Sequence, residues 1–143
     1  MRLVDVNILL YASFESLGRY RQARAWLDEC LNSRERFAMP WESLVAFVRL
    51  SSHPRILQPC ISVAEAWKHV QGWLAQENVW TPTPTPHHAE ILGRLIRENR
   101  LTHKLIPDAH LAALAIGHGL VLCSADNDFS RFRGLRFENP LEI

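Results

Sequence analysis

Apolar positions along this chain fall into short blocks whose spacing alternates between a continuous run and a helical stripe. Arg2 to Val6 is brief and rich in branched apolar residues, which predicts a buried strand. Asn7 to Phe14 carries apolar residues on too many faces for an amphipathic strand and predicts a short buried helix. From Arg19 to Leu31, the residues Ala23, Trp26, Leu27, Cys30 and Leu31 recur at helical spacing against Arg, Gln, Asp and Glu, so an amphipathic helix is expected. Phe37-Ala38-Met39 predicts a second strand, and Pro40 then stands where a helix can begin, opening Trp41 to Ser51.

The second half repeats the alternation. Ser62-Val63-Ala64-Glu65 has the form of a capping box, with an apolar stripe continuing to about Gln76. Val79-Trp80 predicts a third strand. Thr81 to Pro86 alternates Thr and Pro and predicts a stiff, extended lead into a helix over His87 to Arg100, whose buried face is Ile91, Leu92, Leu95 and Ile96. Ile106-Pro107-Asp108 opens an alanine-rich helix, Ala109 to Ile116, closed by Gly117-His118-Gly119. Leu120 to Cys123 predicts a strand and Ser124 to Phe129 a polar turn. Short apolar strands separated by helices predict an α/β protein with a helix-covered, mostly parallel sheet. In such sheets ligands bind beyond the carboxyl ends of the strands.

Composition narrows the class without changing that picture. The chain has 143 residues, 48% apolar and 22% charged, which is the profile of one ordinary soluble globular domain spanning 1–143. A net charge of +1 argues against a polybasic mode of nucleic-acid binding, although a local patch can still hold phosphates. Cys30, Cys60 and Cys123 are odd in number and widely spaced, as expected of free thiols in a reducing cytoplasm. No apolar run approaches the length of a membrane span.

Chemistry concentrates where the predicted strands end. Asp5 interrupts the first apolar block, and an ionised carboxylate there needs a compensating partner. Glu42 follows the second strand, Asp126 and Asp128 follow Cys123, and Asp108 begins the helix leading into that same strand. Singly, Glu42 and Asp108 are ordinary acids in a helical first turn, and Asp126 and Asp128 ordinary turn residues. Together they would repel one another at one edge of one sheet, and a divalent cation removes that repulsion. Hard oxygen ligands favour Mg²⁺ or Mn²⁺.

With Asp5-Val6-Asn7, Glu42, the helix opened by Asp108 and the turn Ser124-Ala125-Asp126-Asn127-Asp128-Phe129 in this order, the chain resembles the PIN-domain ribonucleases, specifically the VapC toxins of bacterial toxin–antitoxin pairs. The resemblance covers essentially the whole chain and implies a PIN-like three-layer α/β/α fold. It implies a metal-dependent endoribonuclease in which Asp5, Glu42, Asp108 and Asp126 are catalytic and hold Mg²⁺ or Mn²⁺, with Asp128 auxiliary. Asn7 and Ser124 would orient these acids through hydrogen bonds. Ser124 stands where threonine is frequent in the family, which keeps the hydroxyl. The implied partners are an RNA substrate, a VapB-like antitoxin and a second copy in a homodimer, with no membrane.

Positive charge for RNA could come from Arg19, Arg21 and Arg24, or from Arg131, Arg133 and Arg136, unless these are solvated surface arginines. His87, His88, His110 and His118 form no spacing that makes a site and are expected to be surface or boundary residues. Trp26, Trp41, Trp67, Trp73 and Trp80 are expected in the core or an interface. Two other readings stay open from the residues. One is a haloacid-dehalogenase-like phosphatase, against which Asn7 stands where a proton-donating Asp would be needed. The other is a non-catalytic RNA-binding module.

Overall fold

The computed structural model describes residues 1–142. Five strands form one all-parallel sheet: β1 (Arg2–Val4), β2 (Phe37–Ala38), β3 (Val79–Trp80), β4 (Val121–Cys123) and β5 (Arg136–Glu138), in the order β3-β2-β1-β4-β5. Leu3 lies opposite Ala38 on one side and Leu122 on the other, so β1 is central. Six helices cover it: α1 (Val6–Ser13), α2 (Tyr20–Asn32), α3 (Trp41–Ser51), α4 (Val63–Leu74), α5 (His88–Glu98) and α6 (Ile106–His118).

Strand periodicity sorts the core into two layers, because successive side chains leave a sheet on opposite faces. Val4, Phe37 and Met39 pack with Ile8, Leu27, Leu44, Phe47, Val70 and Trp73, residues of α1 to α4. Leu3, Ala38 and Leu122 face the other way and pack with Leu95 of α5, the alanines of α6, Phe129 and Phe132. The result is the expected three-layer α/β/α arrangement. Phe47 sits at the first core's centre, fully buried, with the Phe14 ring stacked at 6.0 Å and Trp73 edge-on at 4.8 Å.

Local signals place most boundaries. Ser62 Oγ accepts from the Glu65 amide at 3.0 Å and caps α4. Gly119 ends α6 with φ 68°, a left-handed conformation that costs glycine little. Several expectations need correction. The first strand stops at Val4 rather than Val6, since Asp5 turns the chain and caps α1. Ile96 of α5 is 42% exposed, outside the buried face assigned to it. The apolar pattern does not predict the strand β5: Arg136-Phe137-Glu138 has one apolar residue between two charges, and the edge of β4 recruits it.

The carboxyl ends of β2, β1 and β4 lie side by side because the strands are parallel neighbours. A helix leading into a parallel strand starts at that same edge, so α6 begins where β4 ends. The topology thus brings the segments after Ala38, Val4 and Cys123 and the first turn of α6 to one rim.

Candidate acidic site

Asp5 is the hinge of this rim. Its backbone amide donates to the Cys123 carbonyl at 2.9 Å, which ties the end of β1 to the end of β4. Its carboxylate accepts from the Val6 amide at 2.8 Å through Oδ1 and from the Ser124 hydroxyl at 2.7 Å through Oδ2. Burial nevertheless raises its pKa, and the charge of Asp126 raises it further, while these two hydrogen bonds pull the other way.

Ser124 is fully buried and uses all its hydrogen-bonding capacity. Its Oγ donates to Asp5 and accepts from Asn7 Nδ2 at 3.0 Å and from the Asp126 amide at 3.0 Å. Asn7 Oδ1 accepts from the Ala125 amide at 3.2 Å. One hydroxyl and one amide side chain therefore fix the polar turn after β4 against the start of α1. Asp126 in turn accepts from the Asp128 amide at 2.9 Å and caps the 3-10 turn Asn127–Arg131.

Asp108 lies in the first turn of α6, half-buried. Its pKa is raised to about 6, first by burial and then by the charges of Asp5, Asp126 and Asp128, with Arg131 partly offsetting them. Four of the expected acids thus share one electrostatic environment. Among the described residues, no three His, Cys, Asp or Glu side chains enclose a common point tightly enough to ligate an ion by themselves. Mg²⁺ and Mn²⁺ do not need such a cage: Mg²⁺ commonly takes one or two carboxylates and keeps several waters. Asp5 and Asp108, whose ionisation burial and neighbouring carboxylates oppose, are oxygen donors that fit a hard dication.

Glu42 reaches the rim differently. Ser43, buried, donates its hydroxyl to the Val4 carbonyl at 2.8 Å and so pins the start of α3 to the end of β1. The Glu42 carboxylate is paired with His110 Nε2, and His110 Nδ1 lies 3.0 Å from His88 Nε2. With Glu42 accepting, His110 donates through Nε2, and the tautomers of the two imidazoles set which of them donates in the His88 contact. Burial first, and then the neighbouring His110, lowers the His88 pKa. Three helices contribute this chain of contacts, α3, α6 and α5. Both histidines are partly exposed, as expected of surface or boundary residues, and the contact between them carries no local signal because His88 and His110 are far apart in sequence.

The arginines separate into two groups. Arg24 pairs with Asp28 at 3.2 Å along α2, Arg133 pairs with Glu98, and Arg136 donates to the Gly119 carbonyl. Arg21 lies exposed near the start of α2 and lines a different recess from the one that Asp126 lines. Arg131 acts on Asp108, and Arg19 lies over the Tyr11 ring at 5.9 Å. Only Arg19 and Arg131 of the expected arginines border the acids. Tyr11 belongs to none of the acidic motifs, although its position one helical turn after Asn7 places both on one face of α1.

Comparison with known proteins follows the same lines. The sequence profile of the family described as PIN domain matches residues 2–135. Ribonuclease VapC37 of Mycobacterium tuberculosis is 36% identical over 140 residues, covering 98% of this chain and 97% of that protein. Ribonuclease VapC33 of the same organism is 34% identical over 142 residues, covering 99% of each. Among solved structures, VapBC2 from Rickettsia felis, bound to a DNA fragment from their promoter, superposes with a TM-score of 0.71 at 15% identity, covering 96% of this chain and 97% of that one. VapBC-1 from nontypeable Haemophilus influenzae gives a TM-score of 0.71 at 13% identity, covering 99% and 98%.

Proposed function

The chain belongs to the PIN domain family, and from that premise we propose that it is an Mg²⁺- or Mn²⁺-dependent endoribonuclease, the toxin of a toxin–antitoxin pair neutralised by a VapB-like antitoxin. The observation that carries the reading is the convergence of Asp5, Asp108, Asp126 and Asp128 on one rim, close enough that each of the others disfavours ionisation of Asp108. The VapC ribonucleases to which the chain is similar along nearly its whole length support the reaction class.

Asp5, Asp108 and Asp126 would hold the metal, with Glu42 reaching it directly or through water. When bound, the ion supplies neutralising charge, a Lewis acid for the phosphate and an acidified water for attack on phosphorus. The chain's own residues supply the rest. Ser124 and the Val6 amide fix the Asp5 carboxylate through both oxygens, so it keeps one orientation as charge at the rim changes. Asn7 holds Ser124 and the turn that carries Asp126. His110 holds Glu42, and His88 backs His110. Arg131 places positive charge beside Asp108, where an incoming phosphodiester needs it.

The reading includes a homodimer and an antitoxin contact. Trp41 and Trp67, stacked at 6.5 Å and both about two-fifths exposed, adjoin exposed Val45 and Val63 on α3 and α4; such a patch supports a protein contact. The proposed reading also includes a cytoplasmic location, which free Cys30, Cys60 and Cys123 support. Among the described residues no helix is long and apolar enough to cross a membrane.

The test is to incubate purified protein with total cellular RNA, with and without Mg²⁺ or Mn²⁺, beside an Asp108→Ala control, and to sequence the new ends. New ends that need both the metal and Asp108 are expected. Cleavage that persists in chelator or in the variant rejects the reading.

A further inference from the structure

Beside the acidic rim lies an open recess lined by Asn7, Tyr11, Leu17, Arg19, Ala125 and Asp126. We propose that this recess is a nucleotide subsite, in which Tyr11 stacks on the base next to the cleaved phosphodiester and Arg19 takes that nucleotide's phosphate. The assignment rests on the ribonuclease reading and adds to it where the RNA strand runs.

Continuity with the acids is the first support. Asn7 and Asp126 line the recess and also belong to the hydrogen-bonded frame around Asp5. A nucleotide in the recess therefore sits one neighbour away from a phosphate held at the rim. Tyr11 is the aromatic residue of that lining, and it is rigidly placed because Ile8, Leu9 and Ala12 anchor α1 in the core.

Arg19 supplies the second. It occupies the left-handed backbone region at φ 57°, directly after Gly18 at φ 75°, and it is the only non-glycine residue with positive φ among the described residues. Arginine pays a steric penalty there that glycine would not. Residues held in this region cluster at active sites and ligand clamps. Among the described residues no carboxylate lies within ion-pairing distance of Arg19, whereas Arg24, Arg94 and Arg133 all have such partners. Its guanidinium instead covers the Tyr11 ring at 5.9 Å.

A flat cation resting on a tyrosine marks a face that accepts another flat π system. A base stacking there releases the guanidinium, and the phosphate of the same nucleotide is the anion within reach. The exchange also answers an electrostatic need: a polyanion approaching Asp5, Asp108 and Asp126 requires positive charge nearby, and Arg19 provides it in the recess that Asp126 lines. Stacking and phosphate pairing are indifferent to base identity, so the subsite favours single-stranded RNA without fixing its sequence.

The experiment uses the full chain in an Asp108→Asn background, so that RNA is bound without being consumed. Binding of a fluorescein-labelled, ten-nucleotide single-stranded RNA is read by anisotropy across a salt series. Tyr11→Phe should bind like the background, because the ring is kept. Tyr11→Leu should bind about tenfold more weakly, within the range measured for lost base stacking. Arg19→Gly should bind several-fold more weakly, with a salt dependence flatter by about 0.7 in log–log slope, while its thermal midpoint rises because the strain is gone. That pairing of greater stability with poorer binding cannot arise from misfolding. RNA binding by Tyr11→Leu and Arg19→Gly equal to the background, or no RNA binding by the background itself, would overturn the subsite. Cleavage that survives Asp108→Asn would instead overturn the ribonuclease reading, so the two failures are distinct.

Discussion

Replacing Asp108 by Asn should stabilise the metal-free protein while it abolishes cleavage. Asp108 is half-buried at the start of α6, and its pKa rises from the ordinary 3.8 to about 6 because burial and three neighbouring carboxylates oppose its charge. A rise of that size corresponds to about 3 kcal/mol of cost to the ionised form at neutral pH. Solvent screening reduces this for a half-exposed group, and the variant forgoes the favourable contact of a carboxylate with a helix N-terminus, worth up to about 1 kcal/mol. A net gain of about 1–2 kcal/mol remains, or about 3–6 °C in thermal midpoint for a chain of this size.

The sign with pH follows from linkage. The folded pKa lies above the unfolded one, so the folded state binds more protons between the two values and the wild type loses stability as pH rises from about 4 through 6. The gain from Asp108→Asn should therefore be full above about pH 6 and fade towards pH 4. Thermal unfolding in chelator at pH 7.5, 5 and 4, beside RNA cleavage at pH 7.5 with Mg²⁺, measures both halves. An equal midpoint shift at pH 4 and pH 7.5, or no shift at either, refutes the claim that Asp108 sits in a repulsive carboxylate cluster.

Mg²⁺ at ten times its dissociation constant should stabilise the wild type by about 1.4 kcal/mol, seen as a raised midpoint that chelator reverses, and should leave Asp5→Asn nearly unmoved. Asp5→Ala should lose RNA cleavage while retaining part of its RNA binding by anisotropy. Ser124→Ala removes the one hydroxyl that serves Asp5, Asn7 and the Asp126 amide. It should cost about 1–3 kcal/mol in denaturant unfolding and lower cleavage by about 10–100-fold. Phe47→Ala empties the centre of the first core. It should cost about 3–5 kcal/mol in the same unfolding assay.

What could be read from the residues was what local physics enforces. The helix Trp41–Ser51 and the strand Val79–Trp80 stand where the pattern placed them, because proline at the entry of one and a paired branched and aromatic residue in the other act over a few positions. That acids follow the strands was legible too, since the strands of a parallel α/β sheet all end at one edge. The boundary at Asp5 was not, because whether a carboxylate extends a strand or caps a helix depends on Ser124, far along the chain, donating to its other oxygen.

Tertiary structure alone decided the remainder. Residue types and spacing determined a two-sided sheet, its helices and a set of carboxylates bound for one end, since periodicity and chain reach suffice for those. Packing chose which arginines face the acids: Arg24 and Arg133 found carboxylates of their own, and Arg19 settled on Tyr11. It also recruited Arg136–Glu138 as an edge strand and joined His88, His110 and Glu42 across three helices. Side-chain contacts between distant segments depend on how the layers seat against one another, and no short stretch of sequence contains that information.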